Sequence, residues 1–301
     1  MNILEIEGLS KSFAAVTVID DISLSVPEGS VYGFLGENGA GKTTTMKMVL
    51  GLLRADRGEI RIGGEKVRFG QTKTNRQVGY LPDVPQFYSY MRADEYLRFC
   101  GEITGLKSAE IRTRSGEVLE LVGLSKVRKK IGAYSRGMKQ RLGVAQALIN
   151  QPTLLICDEP TSALDPVGRK EILDILNHIR QQTTVIFSTH VLSDVERICD
   201  RAAVLHHGHI VLDGDLEDLK RKHGSNGLRV EFAHPDDTAR LLALVPSDLV
   251  AEHTGTELTL RTVTEPENLA ILQLLGEHSL LPLRFEALEP SMESLFLEVV
   301  S

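Results

Sequence analysis

The residues of this chain best suited to chemistry form a glycine-rich segment, GENGAGKTT, at positions 36–44. It matches the pattern G-x-x-x-x-G-K-[ST] in full, between a predicted strand (31–35) and a predicted helix. Glycines let backbone N–H groups surround phosphate oxygens, the lysine reaches the β and γ phosphates, and the hydroxyl of Thr43 is available to Mg²⁺. We therefore expect a nucleotide to contact Gly36, Glu37, Asn38, Gly39, Ala40, Gly41, Lys42, Thr43 and Thr44.

Two adjacent acids, Asp158 and Glu159, follow the apolar run LLIC at 154–157. A buried strand would deliver both side chains to its polar end. Asp158 is predicted to hold Mg²⁺, usually through water. Glu159 is predicted to polarise the attacking water as a general base. The simpler interpretation, two acids turned to solvent at a strand end, is disfavoured because the same chain carries a complete phosphate loop.

His190 ends the next predicted strand, in the segment FSTH at 187–190. A histidine in this place could reach the γ-phosphate and sense its loss. Although a lone histidine is more often structural, the neighbouring site favours a functional role. The segment HHGH at 206–209 has the composition of a metal site, but its place between two predicted strands indicates a tight turn.

A second candidate phosphate site is the segment YSRGMKQRL at 134–142, which lacks a phosphate-loop lysine. Ser135 and Gly137 would open the backbone at the start of a helix predicted over 138–149. A helix N-terminus with small residues at its entry suits an anion. Spacing alone leaves open whose phosphate this segment would bind.

The order of predicted elements indicates an α/β fold with two domains. Residues 1–70 are strand-rich, and a hairpin is predicted around positions 63–64. From position 31 apolar strands alternate with helices, which indicates a mainly parallel sheet covered on both faces. A polar stretch at 220–227 predicts a linker between a domain at 1–222 and one at 226–301. The second domain has the order β-α-β-β-α-β of a small ferredoxin-like α+β fold.

Two helix starts are marked by their residue types. Asp165 and Pro166 suit a cap and a first helical position. The segment SDVE at 193–196 has the spacing of a capping box, with Ser193 as the cap.

The composition argues against several other classes of protein. The formal net charge of −7 disfavours a nucleic-acid binder. The basic run KVRKK at 126–130 is most simply a solvated face, with contact to anionic lipid or to a partner as the less favoured alternative. The N-terminal segment has acidic residues and no apolar core, and no apolar run approaches the length of a membrane span. The three cysteines lie far apart, which is typical of a reducing compartment. We therefore expect a cytoplasmic chain whose membrane role needs another chain.

Together these segments resemble one family, the ATP-binding cassette (ABC) ATPases, over residues 3 to about 220. The resemblance rests on GENGAGKTT, YSRGMKQRL, LLICDEP, SALD (162–165) and His190 in the family's order. The C-terminal segment, ending LEPSMESLFLEVV, resembles the appendage on drug- and antibiotic-exporter cassettes. The resemblance implies an N-terminal antiparallel β subdomain, a helical subdomain carrying the YSRGM segment, and a Mg²⁺-dependent ATPase.

The family also implies partners and further roles for individual residues. Ser135 and Gly137 would cap the γ-phosphate of ATP held by a second copy, in a head-to-tail dimer. Phe13 would stack on adenine, unless it is an ordinary core residue at a strand end. Departures from the family pattern are YSRGM in place of LSGGQ, and Asp83 where most members have a glutamine that binds Mg²⁺ or its waters. That substitution leaves a metal role for Asp83 open.

Six aromatic residues cluster between positions 80 and 99, although a polar loop does not require them. Aromatic residues are enriched at protein interfaces. In the fold of the ABC ATPases, which this chain resembles, this region faces a polytopic membrane permease on a separate chain. Phe87, Tyr88 and Tyr90 are therefore predicted partner contacts. Tyr96 and Phe99 are assigned to a local core. Two other interpretations stay open beside an exporter ATPase: a non-transport ABC ATPase and a regulatory ATP-binding switch.

Overall fold

The computed structural model of the protein describes residues 1–71, 73–223, 227–261, 264–288 and 291–300. The chain divides into two compact units, Met1–Leu216 and Glu217–Ser301. The strands are β1 (Asn2–Phe13), β2 (Val16–Pro27), β3 (Val31–Gly36), β4 (Arg57–Ile62), β5 (Glu65–Lys66), β6 (Val78–Leu81), β7 (Leu154–Asp158), β8 (Thr184–Thr189), β9 (Arg201–His206), β10 (His209–Asp215), β11 (Gly227–Glu231), β12 (Val250–Thr254), β13 (Glu257–Arg261) and β14 (Arg284–Leu288). The helices are α1 (Lys42–Val49), α2 (Ala93–Ile103), α3 (Ser108–Leu121), α4 (Arg136–Leu148), α5 (Pro166–Ile179), α6 (Leu192–Ile198), α7 (Leu216–His223), α8 (Pro235–Leu244), α9 (Glu265–Glu277) and α10 (Met292–Val300).

The first sheet of the larger unit is antiparallel, with the order β2-β1-β4-β5. Alternate residues of β2 (Ile22, Leu24 and Val26) are buried, as expected of a strand with one covered face. The predicted hairpin is confirmed, because Ile62 pairs with Glu65 across Gly63 and Gly64. This sheet forms the N-terminal β subdomain that the family resemblance implied.

The second sheet has six strands in the order β10-β9-β3-β8-β7-β6, and only β10 is antiparallel to its neighbour. Every residue of β3, β7 and β8 is buried, which agrees with a parallel sheet covered on both faces. The phosphate loop, the acidic pair and His190 lie at, or directly after, the carboxyl ends of these three neighbouring strands. The topology therefore brings them to one edge of the sheet, where the carboxyl ends of parallel strands commonly bind ligands.

The helix starts only partly follow the sequence prediction. Asp165 caps α5 by accepting a hydrogen bond from the backbone N–H of Gly168 at 2.8 Å, and Pro166 is the first helical residue, as predicted. The capping box predicted at Ser193 is wrong, since α6 begins at Leu192 and has Val191 as its cap. Ser193 instead accepts a hydrogen bond from the guanidinium of Arg169 at 2.9 Å.

The smaller unit contains the predicted ferredoxin-like arrangement. Its sheet has the order β12-β13-β11-β14, and every pair is antiparallel. Residues from the strands and from α8 and α9 form one core, which includes Leu228, Val230, Leu241 and Leu275. The polar stretch predicted to be a linker is helical through α7 as far as position 223, and 224–226 lie outside the described residues.

Candidate functional site

The phosphate loop leaves β3 and turns directly into α1. Gly41, which precedes the helix, has φ 109°, a conformation that L side chains rarely adopt. A Cβ at this position would lie 2.4 Å from Cδ1 of Ile19 and 3.1 Å from the backbone oxygen of Val18. The loop is therefore held close against the N-terminal β subdomain in a form that only glycine permits.

Lys42 is buried, and its ammonium is directed back across the loop. Nζ donates to the backbone oxygen of Gly36 at 2.7 Å and to that of Glu37 at 3.1 Å. The same nitrogen lies 3.2 Å from Oε1 of Glu159. The cation is thus fixed between the loop and the acidic pair, while Thr43 beside it is exposed and Thr44 half-buried.

Asp158 is buried and joins three chain segments through one oxygen. Its Oδ1 accepts from the hydroxyl of Thr43 at 3.1 Å and from the hydroxyl of Ser188 at 2.6 Å. The Thr43 hydroxyl and the Asp158 carboxylate are hard oxygen donors, which suit Mg²⁺ together with water and substrate phosphates. Sequence reasoning missed Ser188; its signal is a hydroxyl at the carboxyl end of an otherwise apolar run, VIF.

Glu159 adopts φ 49°, a left-handed conformation that costs energy in a residue with a side chain. Its backbone N–H donates to the carbonyl oxygen of Ser188 at 3.1 Å, which anchors it to β8. Oε2 lies 2.9 Å from Nδ1 of His190. Oε1 is buried and forms no hydrogen bond among the described residues, so the ion pair with Lys42 is what compensates it. The predicted catalytic side chains therefore lie together, with the carboxylate of Glu159 between Lys42 and His190.

Asp83 and Tyr80 lie close to this group on the segment that contains β6. Burial, followed by the charge of Asp158, raises the pKa of Tyr80 to about 12, so its phenol is neutral at neutral pH. The carboxylate of Asp83 accepts a hydrogen bond from the hydroxyl of Ser162. The structure thus joins Asp83 to the SALD segment that follows Glu159.

Ser135 and Gly137 lie at the start of α4, where Ser135 accepts from the backbone N–H of Met138 at 3.2 Å and caps the helix. A Cβ at Gly137 would meet nothing within 4 Å. Among the described residues, no hydrogen bond or ion pair joins either residue to the phosphate loop of the same chain. Phe13 ends β1 with 46% of its surface exposed, so it is not a core residue.

The aromatic segment divides into a packed part and an exposed part. Phe87 meets Tyr96 edge to face at 5.1 Å, and Tyr88 meets Phe99 in the same way at 5.6 Å. Tyr96 is buried, whereas Tyr88 and Tyr90 are 47% and 63% exposed. A groove of about 610 Å³ lies along this segment and is lined in part by the side chains of Phe87, Tyr88 and Tyr96.

Comparison with known proteins identifies the arrangement. The family model described as "ABC transporter" matches residues 19–162. The ABC transporter ATP-binding protein YhcH of Bacillus subtilis is 34% identical over 301 residues, which cover 99% of this chain and 95% of that protein. This chain belongs to the ABC transporter ATP-binding proteins. YxlF of the same organism, another protein of that description, is 46% identical over 224 residues, or 74% of each chain.

The similarity extends to the smaller unit and to solved structures of this ABC ATPase family. A model described as the C-terminal domain of DrrA1-3-like ATP-binding proteins matches residues 214–300. The Enterococcus faecalis bacitracin transport ATP-binding protein BcrA is 35% identical over 304 residues, 99% of this chain and 96% of that protein. The structure of an ATP-binding subunit of an ABC transporter superposes with TM-score 0.66 at 33% identity, covering 73% of this chain and 92% of that one.

Family membership establishes the general activity of this ABC ATPase. It is an ATP-binding subunit, and ATP hydrolysis in this family is coupled to transport. ATPases of this kind act with membrane permeases and usually dimerise. The family, fold class and ATP-binding function predicted from the motifs are confirmed. Within the described residues, no helix combines the length and apolar character needed to span a bilayer.

Proposed function

We propose that this ABC ATPase is the Mg²⁺-dependent, ATP-hydrolysing subunit of an exporter. Two copies would close head to tail on two ATP molecules and drive a separate membrane permease, and hydrolysis would reopen them. The observation that carries the proposal is the position of Glu159, whose two carboxylate oxygens face Lys42 at 3.2 Å and His190 at 2.9 Å beside the phosphate loop.

The catalytic roles follow from these contacts. Lys42 neutralises the β and γ phosphates from within the loop. Glu159 accepts a proton from the attacking water as the general base. His190 orients this carboxylate through Nδ1, which leaves its other ring nitrogen for the γ-phosphate. Because the His190 side chain is 44% exposed, a phosphate can approach it.

Mg²⁺ would be held by the hydroxyl of Thr43 and by Asp158, the latter usually through water. When bound, the ion neutralises charge on the phosphate oxygens. Ser188 donates to Asp158 and so orients this carboxylate toward Thr43. Asp83 engages Ser162, and we assign it to positioning the SALD segment.

The second half of each site would come from a second copy. Ser135 and Gly137 lie at the N-terminal end of α4, where backbone N–H groups suit the γ-phosphate of the neighbour's ATP. The open space around Gly137 leaves its backbone accessible to such a ligand. Phe13 presents an exposed ring to stack on adenine.

The exporter assignment rests on relatives that are named for antibiotics. These are the bacitracin transport protein BcrA and the linearmycin resistance ATP-binding protein LnrL of Bacillus subtilis, which is 34% identical over 304 residues. The DrrA-like match over 214–300 agrees with this branch. We place the protein at the cytoplasmic face of the membrane, with the permease contacting Phe87, Tyr88 and Tyr90.

Affinity capture of the full chain with its membrane fraction tests the proposal. Exporter function predicts recovery of a polytopic membrane protein and stimulation of an ATPase activity that requires Mg²⁺. Recovery of ribosomes or DNA-repair proteins instead would favour a non-transport ABC ATPase. ATP binding without turnover, with Mg²⁺ present, would favour a regulatory switch.

A further inference from the structure

Asp194 is a buried carboxylate that the proposed mechanism does not use. It lies in α6, four residues after His190, and only 1% of its surface is exposed. A charge kept inside a protein requires compensating partners, since its desolvation is costly. Both oxygens have them: Oδ2 accepts from the hydroxyl of Thr161 at 2.7 Å, and Oδ1 accepts from Nε of Arg169 at 2.5 Å.

These partners belong to the segments that carry the active site. Thr161 lies two residues after Glu159, in the turn where the N–H of Ser162 donates to the Glu159 carbonyl oxygen at 3.1 Å. Arg169 lies in the first turn of α5 and also donates to Ser193 at 2.9 Å. Asp194 therefore links the segment that follows Glu159, through Thr161, to the segment that follows His190, in which it lies itself. Its ion pair with Arg169 attaches both segments to α5.

Glu159 needs such support because of its backbone. Its left-handed conformation, φ 49°, is unfavourable for a residue with a Cβ and persists only where surrounding contacts determine it. On one side the backbone N–H of Glu159 is held by Ser188 at 3.1 Å. On the other side the chain leaving Glu159 is held at Thr161, through Asp194.

We propose that Asp194 is a positioning residue for ATP hydrolysis. It fixes the Glu159 turn and the His190 turn relative to each other, so that the carboxylate of Glu159 and Nδ1 of His190 keep their 2.9 Å contact. This inference rests on the proposed roles of Glu159 and His190. Asp194 contacts neither side chain directly and acts through Thr161 and the backbone.

Asp200 provides a control: its side chain, 33% exposed, also pairs with an arginine, Arg180, at the other end of α5. Its Oδ2 accepts from the backbone N–H of Val31 at 2.8 Å, and its Oδ1 accepts from Arg180 at 2.6 Å. This ion pair supports the beginning of β3, away from the phosphate loop at its end. Asp200→Asn should lower stability without changing the turnover of the folded protein.

The experiment compares steady-state ATP hydrolysis of full-length Asp194→Ala, Asp194→Asn and Asp200→Asn, each corrected for its folded fraction. Positioning predicts that Asp194→Ala lowers kcat by about ten- to a hundredfold, the scale of a small misplacement of catalytic groups, with KM for ATP changed by no more than about twofold. Asp194→Asn keeps an acceptor for Thr161 and should recover part of the loss. If the corrected kcat of Asp194→Ala is as high as that of Asp200→Asn, the proposal is overturned.

Substitution of Thr161 removes its hydrogen bond to Asp194 and keeps the ion pair between Asp194 and Arg169. Thr161→Val should lower kcat as Asp194→Ala does, and Thr161→Ser should restore it. The double variant should lose no more than Asp194→Ala alone, because the bond between Thr161 and Asp194 is already absent there. If Asp194→Ala fails to fold, these Thr161 variants decide the question, and an unchanged kcat in Thr161→Val rejects the proposal.

Glu159→Gln separates this inference from the proposed function. If Glu159→Gln hydrolyses ATP normally, the assignment of the base fails, and this inference with it. If Glu159→Gln is inactive but Asp194→Ala is not, only the positioning role is wrong. Added to Glu159→Gln, Asp194→Ala should reduce the residual turnover little further, since it acts through that carboxylate.

Discussion

The ammonium of Lys42 lies 3.2 Å from Oε1 of Glu159, and both side chains are largely buried. The two groups have separate proposed tasks, binding phosphate and accepting a proton from water. Because a phosphate oxygen would compete for the same ammonium, we expect ATP binding to weaken this ion pair. Glu159 would then be free to act on water only when a nucleotide occupies the loop.

Replacement of the proposed base should separate binding from turnover. Glu159→Gln keeps the size and shape of the side chain but removes its charge, so it cannot accept the proton. We expect ATP binding to persist, turnover to fall by about a hundredfold or more, and the ATP-bound dimer to accumulate. Nucleotide binding, ATP hydrolysis and gel filtration with ATP measure the three effects.

A carboxylate-to-amide change elsewhere controls for that experiment. Glu171 lies on α5, is nearly half exposed and pairs with Arg141 at 3.6 Å. Glu171→Gln should leave turnover within about twofold of the parent, since exposed ion pairs contribute little. Near-parental turnover in Glu159→Gln would show that another group is the base.

Polar substitution of the aromatic segment should uncouple transport from hydrolysis. Tyr90→Ser is the cleanest variant because Tyr90 is 63% exposed, whereas Phe87→Ser also removes an aromatic contact worth about 0.5–1.5 kcal/mol. We expect the isolated subunit with substitutions at Phe87, Tyr88 and Tyr90 to hydrolyse ATP while transport by the complex is lost. Phe69→Ser, at an exposed aromatic outside this segment, should keep both activities. Loss of hydrolysis in the isolated subunit would indicate a folding role.

Removal of the smaller unit should leave a folded ATPase. We propose functional domains at 1–222 and 226–301, and the smaller unit has its own core around Leu228, Val230 and Phe232. A chain ending after about residue 222 should therefore bind nucleotide and unfold cooperatively. Nucleotide binding and thermal unfolding of the shortened chain measure this. An insoluble product would mean that the smaller unit completes the core of the larger one.

Mixing two inactive variants should restore activity if the active site is shared between copies. Lys42→Ala removes the cation that would neutralise the phosphate. Gly137→Asp places a carboxylate against the phosphate of the neighbouring copy's ATP, and the two like charges repel each other. The open space around Gly137 predicts that this second variant folds. In a mixed dimer, one site carries both substitutions and the other site carries neither. Random mixing gives about half mixed dimers, so hydrolysis should partly return.

Crosslinking resolves a negative result from mixing, because strong coupling between sites could silence a single intact one. Cysteines placed at the phosphate loop and at position 137 should crosslink between copies when ATP is present. The same pair without ATP is the control. A crosslink that forms only within one chain would show that the head-to-tail model is wrong.

The sequence alone determined the parts of the site that depend on local chemistry. GENGAGKTT requires glycines for its backbone and a lysine for its charge, so the segment is recognisable without a fold. The apolar runs before Asp158 and His190 predicted buried parallel strands, and β7 and β8 have that form. The β-α-β-β-α-β order likewise followed from short-range periodicity, which reflects which face of each element is buried.

Only the tertiary structure decided which side chains meet. Ser193 has the spacing of a helix cap, yet its hydroxyl bonds to Arg169, which is 24 residues away in the chain. Asp83 bonds to Ser162 across 79 residues, and Asp194 bonds to Thr161 across 33. Such contacts depend on the order of strands in the sheet and on burial, which together bring distant polar groups close and make an unpaired one costly. A local residue pattern specifies neither the order of the strands in the sheet nor which distant polar groups are buried together.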